Sequence, residues 1–294
     1  MLNIKDSKEI METKGMIFDI EEFAIYDGPG IRTTVFFKGC PLRCIWCHNP
    51  EGISQYPEMM VKTALCDNCG RCEKICAYRQ TLCTACGDCI DECPKHIRKI
   101  SGYEITAGEL AAKLKKNIDS YKSSGGGVTI SGGEPFYQSE FLFALLNGLN
   151  GIHKAIETSG YTSCDIFTKF LDYIDLYIMD IKHIDAIIHK EITGVGNKQI
   201  LENLRILKES NKPFIIRIPL IPDINDSDEN LSATANLLAG SKNLLRVEFL
   251  PYNKLTKTKY ISLSKKYNPP FDETKEPNIS QEYFTQIGIK SVIL

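Results

Sequence analysis

Eleven of the twelve cysteines in this 294-residue chain fall between Cys40 and Cys93. Thiols at that density either pair as disulfides or hold metal, and the two choices demand different kinds of chain. A disulfide scaffold suits a short secreted chain that cannot build a core. Here 43% hydrophobic and 24% charged residues suffice for one large core, and the start, MLNIKDSKEIMETKG, lacks the apolar stretch of a secretory signal. Metal binding in a reducing, cytoplasmic setting is the expectation. No apolar run approaches the roughly 18 residues of a membrane span. With 35 basic and 37 acidic residues the net charge is -2, which leaves no basic footprint for nucleic acid.

One internal repeat stands out. Cys66, Cys69, Cys72 and Cys76 recur as Cys83, Cys86, Cys89 and Cys93, each offset by 17, and mark a small unit over 60–100. Around it, β-rich runs at 32–38, 127–130, 153–157, 174–180, 213–218 and 244–250 alternate with helical periodicity. Thr106 and Glu109 form a capping box ahead of Leu110, Leu114, Ile118 and Tyr121, which share one face. Asn197 and Ser227 read as further helix caps, the latter helix stopping at Gly240. Alternation of this kind requires parallel strands joined by right-handed crossovers. The expected architecture is α/β, a partial (β/α)6 TIM-like barrel over 15–59 and 101–294, with a doubly wound open sheet as the competitor.

Directly after the first of these runs comes Gly39-Cys40-Pro41-Leu42-Arg43-Cys44-Ile45-Trp46-Cys47. Three thiolates on one loop imply one metal centre, and three ligands where a closed site wants four leave a position for substrate. A zinc site completed by His48 or Cys164 is the alternative, although Cys164 otherwise reads as a structural thiol. Other polar residues sit where the later strands end: Ser131-Gly132-Gly133-Glu134-Pro135, Glu157-Thr158, Asp180-Ile181-Lys182 and Asn253, with Arg217 inside the fifth run. In a barrel the carboxyl ends of strands converge on one mouth. Glycine pairs can be mere turns, but after a strand they also let backbone approach a ligand. Asp180 and Lys182, two apart, share a face. Asp27-Gly28-Pro29-Gly30 reads as a turn, and His183 and His189 as surface or helix-start residues.

Cys-x3-Cys-x2-Cys with Trp46 before the last cysteine resembles the radical S-adenosylmethionine superfamily. The longer string DGPGIRTTVFFKGCPLRCIWCHNPE, residues 27–51, resembles its glycyl radical enzyme activating branch. The resemblance implies a [4Fe-4S] cluster on Cys40, Cys44 and Cys47 whose open iron chelates the methionyl amino and carboxylate groups of S-adenosylmethionine. One electron passed to the sulfonium then releases methionine and a 5'-deoxyadenosyl radical, which takes hydrogen from a backbone glycine of a partner glycyl radical enzyme. By the same resemblance, Trp46, Cys47, His48, Gly132, Gly133, Glu134, Glu157, Thr158, Asp180, Ile181, Lys182, Arg217 and Asn253 are the cofactor contacts. Lys182 and Asp27 are the candidate catalytic residues, Asp27 lying near the incoming glycine. The chain departs from the family at Glu157, often Asp, and Asn253, often His.

The repeat matches the bacterial ferredoxin run, in which the fourth cysteine of each half serves the other cluster. Cys66, Cys69, Cys72 and Cys93 would hold one [4Fe-4S], and Cys83, Cys86, Cys89 and Cys76 another, making three clusters in all. The first half has Ala77 where the run usually has proline, and only six residues separate Cys76 from Cys83. Two four-cysteine zinc sites are the alternative. Flavodoxin or ferredoxin is the expected electron donor. Two other functions compete: a radical enzyme acting on a small molecule or another peptide, and an electron-transfer protein.

Overall fold

The computed structural model describes residues 7–76 and 83–294. Ala77 lies outside them. The described strands are β1 (Lys14–Ala24), β2 (Arg32–Phe37), β3 (Glu58–Val61), β4 (Arg98–Ser101), β5 (Tyr103–Thr106), β6 (Gly127–Gly132), β7 (His153–Thr158), β8 (Leu176–Asp180), β9 (Phe214–Leu220), β10 (Leu244–Pro251) and β11 (Ser291–Ile293). The helices are α1 (Ser7–Met11), α2 (Arg71–Ile75), α3 (Asp88–Asp91), α4 (Ala107–Lys115), α5 (Ile118–Ser124), α6 (Ser139–Gly148), α7 (Cys164–Phe170), α8 (Ala186–Thr193), α9 (Lys198–Glu209), α10 (Asp228–Leu238), α11 (Thr256–Ser262) and α12 (Glu282–Thr285).

Nine of the strands form one sheet in the order β11-β10-β9-β8-β7-β6-β2-β1-β5. From β2 to β11 every pairing is parallel. All six expected strands are present and adjacent. β1 was not expected; it runs antiparallel to both β2 and β5. Its acidic stretch at Asp19, Glu21 and Glu22 masks the alternation that would announce a strand.

The two faces of the sheet have different chemistry because side chains alternate along each strand. Val35, Phe37, Ile130, Ile156, Tyr177, Met179 and Ile216 face the helices and join one continuous apolar core with Leu110, Phe141, Phe167, Leu204 and Leu231. The opposite face carries a small apolar floor, Ala155, Leu176, Ile178 and Ile215. Two residues further along the same strands that face turns polar, at Glu157, Asp180 and Arg217. The site is this upper part of the inner face.

The capping box at Thr106 and Glu109 is formed, and Ser227 caps α10. The single face expected from Leu110 to Tyr121 is split between α4 and α5, though Leu110, Leu114 and Tyr121 are all buried. Asn197 is not a side-chain cap. Its buried amide instead donates to the carbonyls of His183 and Ile184, at 3.3 and 2.6 Å. His183 and His189 are buried rather than superficial. His189 lies on the inward face of α8, its Nδ1 2.8 Å from the Val195 carbonyl, and Nδ1 of His183 accepts from the Asp185 amide.

The insert stands on the β3–β4 hairpin. The 17-residue repeat is reproduced in its backbone. Asn68 and Ala85 both have positive φ, +56° and +54°, and so do Gly70 and Gly87, which precede α2 and α3. Glycine is the residue that enters such turns without strain.

Thr106→Ala should lose about 1 kcal/mol of stability, the cost of one cap. Asn197→Ala strips two carbonyls of their donor and should lose more, about 1–3 kcal/mol. Urea denaturation of the two variants checks the order; a smaller loss at Asn197 would contradict its role as an internal clamp.

Candidate active site

The cysteine loop is held from three sides. Gly39 and Cys40 donate their amides to the carbonyls of Gly52 and Ile53. Arg43 and Ile45 donate to Thr193 and Ile192 at the end of α8, at 2.7 and 3.0 Å. The Glu134 amide, just past β6, donates to the Gly39 carbonyl at 2.9 Å. Trp46 seals the loop from below in a second apolar cluster with Ile192, Ile221, Tyr252 and Phe271. A Cβ on Gly133 would lie 2.3 Å from the Gly39 carbonyl oxygen and 2.6 Å from that of Gly52. The space this glycine frees is therefore taken by the backbone of the loop itself.

Above the floor opens a cleft of about 780 Å³. Cys40, Cys44, Cys47, Trp46 and His48 line it from the loop. Gly132 and Gly133, Glu157 and Thr158, Asp180 and Lys182, Arg217 and Asn253 line it from five successive strands, and Asp27 lines it from the turn before β2. Two expected contacts face elsewhere. Ile181 packs into the main core. Glu134 is buried, and its carboxylate accepts from the hydroxyls of Thr158 and Ser159 and from the Ser159 amide. It braces the end of β7 against the glycine turn. The Oδ1 of Asn253 accepts from the Leu255 amide at 2.9 Å, a local turn contact.

Arg217 is the centre of the charged part. Its Nε donates to Glu248 at 2.7 Å, and its two Nη groups donate to Glu157 and to the carbonyl of Tyr26. Asp27 stands 3.6 Å from the same guanidinium and accepts from the Thr34 hydroxyl at 2.6 Å. Burial alone would raise the Glu157 carboxyl, but Arg217 and the Ser131 hydroxyl hold it below its ordinary value. Asp27 is pushed up, chiefly by burial and then by repulsion from Glu157. Lys182 is also buried, yet Asp180, 2.9 Å from its Nζ, more than offsets the cost and keeps it protonated.

Three residues that the sequence reading passed over belong here. Glu248 is buried between Arg217 and Arg246. Arg32, fully buried, donates to the carbonyls of Val128 and Pro29 and so pins the Asp27-Gly28-Pro29-Gly30 turn; burial lowers its pKa to about 10. Lys259 of α11 reaches Asn49 and Glu51 behind the cysteine loop, at 2.9 and 2.7 Å. For Glu248 the available signal was a charged residue between Val247 and Phe249 in a strand; Arg32 opens its strand ahead of two threonines, and no local pattern marks it.

Cys40, Cys44 and Cys47 suit a metal cluster. Burial disfavours all three thiolates, the other thiols add repulsion at Cys40 and Cys47, and the Cys47 thiol is pushed up to about 12. Thiolates so placed need a cationic centre, which an iron–sulfur core supplies. Among the described residues no three His, Cys, Asp or Glu side chains converge on a single-ion site.

Comparison with known proteins agrees with this geometry. The profile of the Radical SAM superfamily matches residues 34–235, and the chain belongs to that superfamily. It is 39% identical to the choline trimethylamine-lyase activating enzyme of Oleidesulfovibrio alaskensis over 88% of this chain and 90% of that one. It is 38% identical to the 4-hydroxyphenylacetate decarboxylase activating enzyme of Clostridioides difficile, covering 87% of each. The chain is thus a member of the glycyl radical enzyme activating enzymes and activates such an enzyme by radical S-adenosylmethionine chemistry. The crystal structure of QueE from Escherichia coli shares the fold, with a TM-score of 0.52 at 15% identity over 99% of both chains. Among the described residues no helix is long and apolar enough to cross a membrane.

Arg217→Met leaves Glu157 and Glu248 without their buried cation and should cost about 3–5 kcal/mol. Because Arg217 depresses the Glu157 pKa, its contribution is fully present above the ordinary carboxylate range, begins to fade within it and is lost as pH falls further through the depressed value. The deficit of the variant should therefore be larger near pH 7 than near pH 4, roughly the carboxylate range. A pH-independent deficit in chemical denaturation would contradict this assignment.

Proposed function

We propose that Cys40, Cys44 and Cys47 hold the catalytic [4Fe-4S] cluster and that S-adenosylmethionine lies in the cleft beside it. The observation that carries this reading is the convergence on one cleft of three thiols from a single loop and polar residues from five consecutive parallel strands. This convergence also favours a sheet curled as a partial (β/α)6 barrel, with β5 and β11 as its open edges. Held by these three cysteines, the cluster would supply the one electron needed to break the C5'–S bond of S-adenosylmethionine, with methionine as the leaving group and a glycine Cα of the partner as the hydrogen donor.

The residues around it bind and orient. Lys182, fixed by Asp180, presents a cation beside the cysteine loop, where it offsets thiolate charge and can meet the methionyl carboxylate. Gly132 and Gly133 bring the end of β6 against the loop and offer backbone groups to the methionyl end. Trp46, Cys47, His48, Glu157, Thr158 and Asn253 form the walls. Arg217 already donates to Glu157, Glu248 and the Tyr26 carbonyl, so we assign it to holding Glu157 in place. Asp27 lines the same cleft, and we assign it to meeting the partner's glycine segment. The insert over 60–100 carries two further [4Fe-4S] clusters in a ferredoxin-like arrangement and receives electrons from a flavodoxin or ferredoxin. The setting is cytoplasmic.

Anaerobically reconstituted protein should carry about twelve irons, from three four-iron clusters. Lys182→Met should retain them while weakening S-adenosylmethionine binding about 10- to 100-fold, the range for one charged hydrogen bond. Gly133→Val should lose iron as well, because its side chain displaces the loop. Equilibrium binding and iron analysis check both. Unchanged affinity at Lys182 with full iron would sink the placement of the cofactor.

A further inference from the structure

The cysteine repeat has an asymmetric companion. Arg98, the first residue of β4, follows the repeat and has no counterpart 17 residues earlier, since position 81 is Thr. Its backbone is fixed by pairing with Val61 across the hairpin, and the neighbouring Ile97 is buried. From that fixed point the guanidinium reaches both halves of the insert. One Nη donates to the Cys72 sulfur at 2.9 Å and the other to the Cys89 sulfur at 3.6 Å. Cys72 and Cys89 are equivalent positions of the repeat, the third cysteine of each half, on helices α2 and α3 that pack against one another. A single cation thus lies where two related thiols approach.

We propose that Arg98 is a positioning residue that sets the reduction potentials of both insert clusters together. The inference rests on the two-cluster reading of the insert, under which Cys72 ligates one cluster and Cys89 the other. A guanidinium is planar, always charged, and has donors to spare for two acceptors at once. Donation to a ligand sulfur withdraws electron density from the cluster, and the positive charge favours the reduced form, which holds one more electron. Both effects raise the potential. Because one side chain serves both halves, the two potentials are coupled, and neither cluster becomes a trap for an electron passing between them.

The test is an iron and sulfide assay together with a redox titration followed by electron paramagnetic resonance. It uses the full chain bearing Cys40→Ala, Cys44→Ala and Cys47→Ala, so that only the insert clusters report. In Arg98→Leu iron content should hold and both midpoints should move to more negative potential. In Arg98→Lys, which keeps the charge but cannot span two sulfurs, one midpoint should recover and the other should recover only in part. Unchanged midpoints with iron in place would overturn the proposal, as would a shift of only one midpoint in Arg98→Leu. Loss of iron from both variants would also overturn it, since Arg98 would then hold the insert together rather than tune it. Failure of the underlying reading looks different: the parent chain would lack the insert iron and signals before any change at Arg98.

Discussion

A buried arginine with its charge shared among acids from different strands is the constraint on which the site depends. Arg217 points inward from β9, and an unpaired guanidinium there would be too costly to bury. Glu248 from β10 and Glu157 from β7 compensate it on either side, and the carbonyl of Tyr26 and the nearby Asp27 carboxylate compensate it from across the mouth. These contacts tie β7, β9 and β10 to the turn that leads into β2. The polar upper half of the inner face can then coexist with the apolar floor of Ala155, Ile178 and Ile215 beneath it.

That frame gives the cysteine loop something rigid to rest on. The loop has almost no secondary structure of its own, so its shape is set by borrowed partners: carbonyls at the end of α8, the return stretch at Gly52 and Ile53, and the glycine turn after β6. Glu134 belongs to the same support. Its carboxylate is spent on Thr158 and Ser159, which locks the turn whose backbone touches the loop. Lys182 then contributes positive charge beside Cys44 and Cys47, without itself being a ligand. Binding, electrostatics and loop shape are in this way one problem solved by residues from consecutive strands.

Much of this was legible in the sequence because its signals were local. The six inner strands, the capping box at Thr106 and the cap at Ser227 each follow from spacing over a few residues. The ends of those strands carry the polar residues that meet in the cleft. What the sequence hid was non-local. Asn197 has the composition of a cap but is used across a chain gap to hold His183 and Ile184. His189 looked superficial because nothing within a few residues shows that the α8 face turns inward. Glu134 and Ile181 sit inside motifs whose neighbours face the cleft, yet strand alternation turns Ile181 away and buried hydroxyls capture Glu134. Arg98 was invisible for the same reason, since only folding brings Cys72 and Cys89 to one guanidinium.

The central claim is that this cleft delivers an adenosyl radical to a glycine of a partner protein. The direct measurement supplies the chain with S-adenosylmethionine, a strong reductant and its glycyl radical enzyme partner, whose glycines carry deuterium at Cα. The account predicts deuterium in the 5'-deoxyadenosine formed and a carbon-centred radical on the partner by electron paramagnetic resonance. Cleavage of S-adenosylmethionine with no deuterium in the product and no radical on the partner would contradict it.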